Sequence, residues 1–240
     1  MTPTLGTAIL DTLQAVQSAP SLLKIAEVFR RFIDGYGYST FMCADPPRLD
    51  TQTGGVILFD TWAQEWRHRY LSRGYSFRDP MVLELCRTVR PFTWEEVCER
   101  RRYEPQDWKI VDEATEWHMR YGFVVPILLT GGRVHTITMA GENPRTDFEA
   151  KAELHLVSIY AHARALNLRL KEAPPTPLTK RERQVLQLVS DGKSDWEAGS
   201  VLGISASTVH KHVENVKKRM GVSTRMQAVI NAIRNGDISV

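Results

Sequence analysis

Three prolines fall within four positions at Pro174, Pro175 and Pro177, directly after a long helical pattern. Each removes a backbone donor and clashes with the preceding turn, so no helix continues through KEAPPTP at residues 171–177. The chain is therefore expected to fold as two units, 1–170 and 178–240, joined by an extended linker at 171–177. Charge divides at the same place. Up to residue 175 there are 21 basic and 22 acidic residues; from Thr176 there are 10 basic and 6 acidic residues in 65 positions. A small basic unit beside a larger near-neutral one suggests a polyanion-binding module and a separate sensing module. A solvated basic face would read the same way on charge alone.

The basic unit reads as four short helices. Thr179 and Glu182 form a capping box, Val185, Leu186 and Val189 give an apolar face, and Gly192 is a stop. Ser194 starts a second helix carrying Trp196, Ala198, Val201 and Leu202, which Gly203 ends. Ser205 caps a third helix over about 205–220, in which Val209, Val213, Val216 and Met220 make one buried stripe at steps of 4, 3 and 4. Ser207, Thr208, Lys211, His212, Asn215 and Lys218 then face away from it. Two helices joined by a tight Gly-containing turn are the helix-turn-helix layout. Short polar groups at the start of the second helix of that pair can reach base edges and phosphates, and lysines can neutralise phosphate. A surface helix of a plain bundle is the competing reading.

The N-terminal unit is mixed. Helices are expected at 4–17, 20–34, 61–72, 79–88 and 105–120, and a long one at 147–171. Strands are expected near 38–43 and 55–59, and the runs 123–129 and 134–140 flank a hairpin at Thr130–Arg133. Helices before and after an antiparallel sheet imply an α/β/α sandwich, so the fold class is α+β with an all-α C-terminal domain. Trp62, Trp66 and Tyr70 lie at i, i+4 and i+8, one aromatic stripe that is either core or a binding wall. Asp79 before Pro80 is an ordinary helix start, and an Asp among aromatic residues also needs a donor. One oxygen for the cap and one for a ligand amide would satisfy both roles.

LTKRERQVLQLVSDGKSDWEAGSVLGISASTVHKHVENVKKRMGVSTRMQAV resembles the LuxR/GerE-type helix-turn-helix across the whole C-terminal unit. It departs at Ala198-Gly199, where the family usually has Ile or Val followed by Ala. Glycine inside a helix costs about 1 kcal/mol relative to alanine, so a soft second helix is expected. The resemblance implies phosphate contacts from Lys180 and base or phosphate contacts from the polar face above. It also implies a dimer contact through the fourth helix, about 224–234, where Met226, Val229 and Ile233 are either that contact or core.

Trp66, Tyr70, Asp79, Pro80 and Trp94, as W-x3-Y-x8-D-P-x13-W with Gly122 further on, are similar to the autoinducer-binding domain of LuxR-type quorum-sensing regulators. That resemblance implies an N-acyl-homoserine lactone as ligand, with no cofactor and no metal. Trp66 would donate to the lactone carbonyl, Asp79 would accept the ligand amide N–H, and Tyr70 and Trp94 would wall the pocket. Thr138 would bond the acyl carbonyl. The usual Tyr one turn before Trp66 is Trp62 here, which implies either a narrowed tail pocket suited to a short, branched or aryl acyl group, or an indole rotated outward that leaves room. The partners implied are double-stranded palindromic DNA, the autoinducer and a second copy as homodimer, and the resemblance favours an activator.

Other classes fit less well. A phosphorelay receiver would begin with a βα repeat, whereas this chain begins with helices; a ligand-independent regulator of the same family is the nearer rival. Cys43, Cys86 and Cys98 have no neighbouring His pattern, and neither a Gly-rich phosphate loop nor zinc spacing occurs, so an enzyme is not expected. His210 and His212 point to different sides of a helix, which suits no single metal. Three widely spaced cysteines fit a reducing cytoplasm. MTPTLGTAILDTLQ lacks the basic start and apolar core of a secretion signal, and no apolar run approaches the roughly 20 residues of a membrane span.

Overall fold

The computed structural model of the chain describes residues 5–47, 55–100, 102–129, 133–172 and 178–239. Two compact units hold the elements, the first up to Glu172 and the second after it. The first contains helices α1 (Leu5–Ser18) and α2 (Leu22–Asp34), strands β1 (Thr40–Asp45) and β2 (Val56–Asp60), and helices α3 (Gln64–Ser72) and α4 (Pro80–Leu85). Strand β3 (Phe92–Thr93), helices α5 (Trp94–Arg100) and α6 (Pro105–Ala114), strands β4 (Tyr121–Leu128) and β5 (Val134–Gly141), and helix α7 (Phe148–Glu172) follow.

The strands form one antiparallel sheet in the order β2-β1-β5-β4-β3. Side chains alternate across a strand, so the sheet has two distinct faces. Phe41, Cys43, Ile137 and Met139 lie on one face, fully buried. There Phe41 meets Phe29 of α2 edge to face at 4.9 Å, and His135 meets His162 of α7. Met42, Val124 and Thr138 stand opposite one another in register on the other face, where α4 and α5 pack on β4. The unit is the expected α/β/α sandwich. No described helix is long and apolar enough to cross a membrane.

Several boundaries differ from those expected, for local reasons. The first strand runs over 40–45 rather than 38–43, because the backbone N–H of Tyr38 still bonds to the end of α2, at Ile33 O. The helix expected at 61–72 starts only at Gln64. Thr61 N–H bonds to Phe41 O and Trp62 N–H to Asp60 Oδ1 at 3.0 Å, which ties both residues to the sheet edge. Trp62 therefore precedes the helix, although its ring still meets those of Trp66 and Tyr70. The helix expected at 79–88 stops at Leu85, and that at 105–120 stops at Ala114, continuing as a 3-10 turn that ends at His118 with φ 60°. Strand β3 and helix α5 were not anticipated. Their signal was Thr93-x-x-Glu96, in which Thr93 Oγ1 accepts from Glu96 N–H and Glu96 reaches back to Thr93 N–H. Helix α7 extends to Glu172, two residues into the expected linker; 173–177 and the hairpin residues 130–132 lie outside the described residues.

The buried histidines carry a pH prediction. Nδ1 of His135 and Nε2 of His162 lie 2.8 Å apart. Burial, helped by the neighbouring His135, pushes the His162 pKa down to about 4. A depressed histidine favours the folded state above the unfolded pKa of about 6.5, and that stability is lost as pH falls toward 4. Thermal unfolding of the protein is expected to show a midpoint falling between these limits, and His162→Gln is expected to flatten that slope.

The second unit contains α8 (Lys180–Ser190), α9 (Asp195–Leu202), α10 (Ala206–Met220) and α11 (Arg225–Arg234). Thr179, Ser194, Ser205 and Thr224 cap them, and Val185, Leu186, Val209, Val213, Val216, Ala228 and Val229 form the core. Glu182 does more than cap: besides Thr179 it accepts from Arg219 at 2.5 Å, tying the start of α8 to the end of α10. Gly199 is a packing requirement rather than a soft spot. A Cβ there would lie 2.6 Å from Ile204 O, so the missing side chain lets the turn close on α9. Trp196 and Val201, by contrast, are 74% and 65% exposed and contribute nothing to that core. The α11 stripe also divides, with Val229 in the core and Met226 on the surface.

Candidate functional site

Between the sheet and helices α3–α6 lies an apolar cavity with a free volume of about 50 Å³. Trp62, Trp66, Tyr70, Asp79, Trp94 and Thr138 all line it. The structure thus brings together in one place the six residues expected at a ligand site. Met42, Val82, Ile110, Met119 and Thr136 also line it. Thr136 was legible in principle, two residues before Thr138 on the same strand face; the others come from elements whose packing the pattern did not indicate.

Trp66 and Tyr70 reach the cavity because they lie one turn apart on α3. Trp66 is 2% exposed, and its indole N–H is buried without an acceptor. A buried donor left unmade costs about 1–3 kcal/mol, so this N–H is a place where a bound carbonyl gains. The Trp94 indole N–H is buried and unpaired as well. Its ring packs against Gly122 of β4, where a Cβ would come within 2.2 Å of it.

Asp79 is arranged differently from the expectation. Its Oδ1 accepts from Met81 N–H at 2.8 Å, the N-cap bond that starts α4. Its Oδ2 is not left for a ligand alone, because the Tyr70 hydroxyl donates to it at 2.7 Å. Tyr70 is therefore more than a wall: it orients the carboxylate. Each carboxylate oxygen has two acceptor positions, so one remains on each. Burial raises the Asp79 pKa, against the lowering by Tyr70 and the Met81 amide; burial and the Asp79 charge push Tyr70 well up. The cavity thus offers one unmet donor and one carboxylate with spare acceptor capacity among aromatic rings. Thr138 sits half-buried on β5, beside Met42 and Val124.

In the second unit, Lys180 lies exposed at the start of α8. Ser207, Lys211, Asn215 and Lys218 are exposed on α10, and Thr208 and His212 are half-buried. Ser207 and Thr208 hydroxyls meet Ser205 Oγ at 2.8 Å, which clusters three hydroxyls at the helix start. Neighbouring His210 faces Asp195 of α9 at 3.5 Å, and Arg225 does so at 3.3 Å. A helix opening with hydroxyls and amide dipole and continuing with lysines presents a surface suited to phosphate and base edges.

Each of the two units matches a known protein family. The Autoinducer binding domain family matches residues 22–165, and the luxR family of bacterial regulatory proteins matches 176–232. The chain is 32% identical over 203 residues to the transcriptional activator protein BjaR1 of Bradyrhizobium diazoefficiens, covering 83% of each. It is 29% identical over 234 residues to the HTH-type quorum sensing-dependent transcriptional regulator RpaR of Rhodopseudomonas palustris, covering 96% of this chain and 95% of that one. In fold it is similar to Escherichia coli SdiA, with a TM-score of 0.80 at 16% identity over 97% of this chain and 98% of that one. With a matched sensor family, a matched DNA-binding family and relatives aligned over most of their length, the chain belongs to the LuxR family of quorum-sensing transcriptional regulators.

Proposed function

We propose that residues 1–170 bind an N-acyl-homoserine lactone in the cavity under the sheet. Residues 171–177 then link this domain to 178–240, which binds promoter DNA. Trp66 donates its indole N–H to the lactone carbonyl, and Asp79 accepts the ligand amide N–H, a charge-assisted bond in a water-poor site. Thr138 meets the acyl carbonyl, and Trp62, Tyr70 and Trp94 wall the pocket. The observation that carries this reading is the buried, unpaired Trp66 N–H beside a carboxylate with acceptor capacity left. The limited room beside Trp62 favours a short, branched or aryl acyl group. No resident cofactor or metal is needed.

Ligand binding to the folded state alone stabilises it by about 2.7 kcal/mol at a hundredfold excess over Kd. For a chain of this size that raises Tm by several degrees. A thermal-shift series with acyl-homoserine lactones is expected to show this rise, and a flat response to every acyl class would remove the reading in favour of a ligand-independent regulator.

The stabilised protein acts as a cytoplasmic homodimer, placing two α10 helices on a palindromic site about one helical turn apart, as an activator. Exposed apolar residues on α7 (Leu156, Ile159 and Tyr160) and on α11 (Met226 and Ile230) support the association. Lys180, Ser207, Thr208, Lys211, His212, Asn215 and Lys218 form the DNA surface. Lys211→Ala or Lys218→Ala is expected to weaken binding across all sequences and to reduce the salt dependence by about one counterion each. A titration at several salt concentrations reads this slope; an unchanged slope excludes phosphate contact by that lysine.

A further inference from the structure

The cavity has a neighbour. An open cleft of about 510 Å³ lies against it, lined by Ser39, Thr40, Thr61, Trp117 and Asn143 among others. Trp62 and Met119 are the two described residues that border both spaces.

The two spaces differ in what they could hold. The inner cavity has a free volume of about 50 Å³, enough for only a few waters at roughly 10–15 Å³ each. Any acyl-homoserine lactone is larger than that, so the wall must give as the ligand enters, and a longer acyl chain requires more of it. Most of the wall is fixed. Trp66 is fully packed, Tyr70 is held by Asp79, and Trp94 lies on Gly122. Trp62 is not held in this way. Its backbone is anchored by Asp60, which Arg67 clamps at 2.9 Å, but its indole is half-buried and makes no hydrogen bond among the described residues. Its ring touches Trp66 and Tyr70 only through tilted and edge contacts, with centroids 6.2 and 5.2 Å away. On the other side, Met119 is an unbranched chain that fills irregular space and reshapes readily. It follows His118, whose left-handed turn is braced by a 2.8 Å contact to Glu142.

We infer that Trp62, with Met119, is the residue that sets acyl length: it shuts the head-group cavity from the cleft, and the cleft is a second subsite for the far end of an acyl tail. Short or flat acyl groups stay behind the indole. A long chain has to push it aside and run between Trp62 and Met119 toward Thr40 and Thr61. This inference rests on the cavity being the lactone site.

Full-length wild-type protein, Trp62→Ala and Met119→Ala test it, each titrated by thermal shift and by competition with N-butanoyl-, N-benzoyl- and N-dodecanoyl-homoserine lactone. Wild type is expected to favour a short or aryl lactone over the dodecanoyl one by tenfold or more. Trp62→Ala is expected to move that long-to-short affinity ratio at least tenfold toward the dodecanoyl lactone, and Met119→Ala in the same direction by less. Binding by wild type with the ratio unchanged in both variants overturns the partition and leaves the lactone site standing. No response of wild type to any lactone overturns the site itself. Should Trp62→Ala fail to fold, Met119→Ala decides alone: a shifted ratio supports the partition and an unshifted one overturns it.

Discussion

Asp79→Ala is expected to abolish the response to ligand while also weakening the unliganded sensor. Three things depend on this one carboxylate. The N-cap bond to Met81 is lost, at about 0.5–2 kcal/mol. The buried Tyr70 hydroxyl loses its acceptor, at about 1–3 kcal/mol. The ligand amide loses a charged acceptor, worth about 1.5–3 kcal/mol, or roughly 10- to 100-fold in affinity. Asp79→Asn separates these effects. It keeps the shape and a capping oxygen, and its amide nitrogen can donate to the Tyr70 hydroxyl where the carboxylate accepted, but it has no charge and no second acceptor. It is expected to unfold close to wild type while needing at least tenfold more lactone for half-maximal response. Equal lactone sensitivity of wild type and Asp79→Asn in a reporter or binding assay would exclude a contact between the carboxylate and the ligand amide.

Gly122→Ala carries the second large effect. A methyl group at that position would stand 2.2 Å from Trp94 Cε2 and 2.3 Å from its Nε1, inside the ring's own thickness. Gly122 pairs with Ala140 in the middle of the sheet, so the backbone has nowhere to retreat. The indole must leave its seat and enter the cavity. Overpacking of this kind costs about 1–3 kcal/mol, or several degrees of Tm in a domain of this size. Ligand affinity is expected to fall with it, because the displaced ring occupies the ligand's space. The control is a second substitution: Trp94→Leu in the Gly122→Ala background is expected to recover thermal stability relative to Gly122→Ala alone. If the double variant is less stable than both single ones, the contact is not the cause.

Much of this molecule was legible from its residues, and the reasons differ by region. The DNA-binding unit follows rules that operate within four residues. Thr179 with Glu182, Ser205 before Thr208, and valines at steps of 3 and 4 each specify a cap or a buried stripe locally. The sensor sheet was legible as alternating runs, but its cavity depends on which face each strand turns toward which helix. That pairing is long-range: Thr138 lies beside Met42 only because β1 and β5 are neighbours. Trp62 shows the limit most clearly. Its spacing to Trp66 is helical, yet two hydrogen bonds to the sheet edge stop the helix from reaching it. Gly199 shows the converse, where a residue unfavourable by helix propensity is required by a backbone carbonyl across the turn. The Tyr70 bond to Asp79 leaves no mark in the sequence, because no spacing rule links a helix residue to a cap nine positions on.

The double use of Asp79 constrains how such a sensor can diversify. Because the same side chain starts a helix, restrains a tyrosine and faces the cavity, exchange at that position costs folding, recognition or both. A randomised library built around the cavity should therefore return an invariant aspartate with freely varying residues at positions 62 and 119. New dialects would then arise by exchanging the outer rings while the inner grip is inherited unchanged.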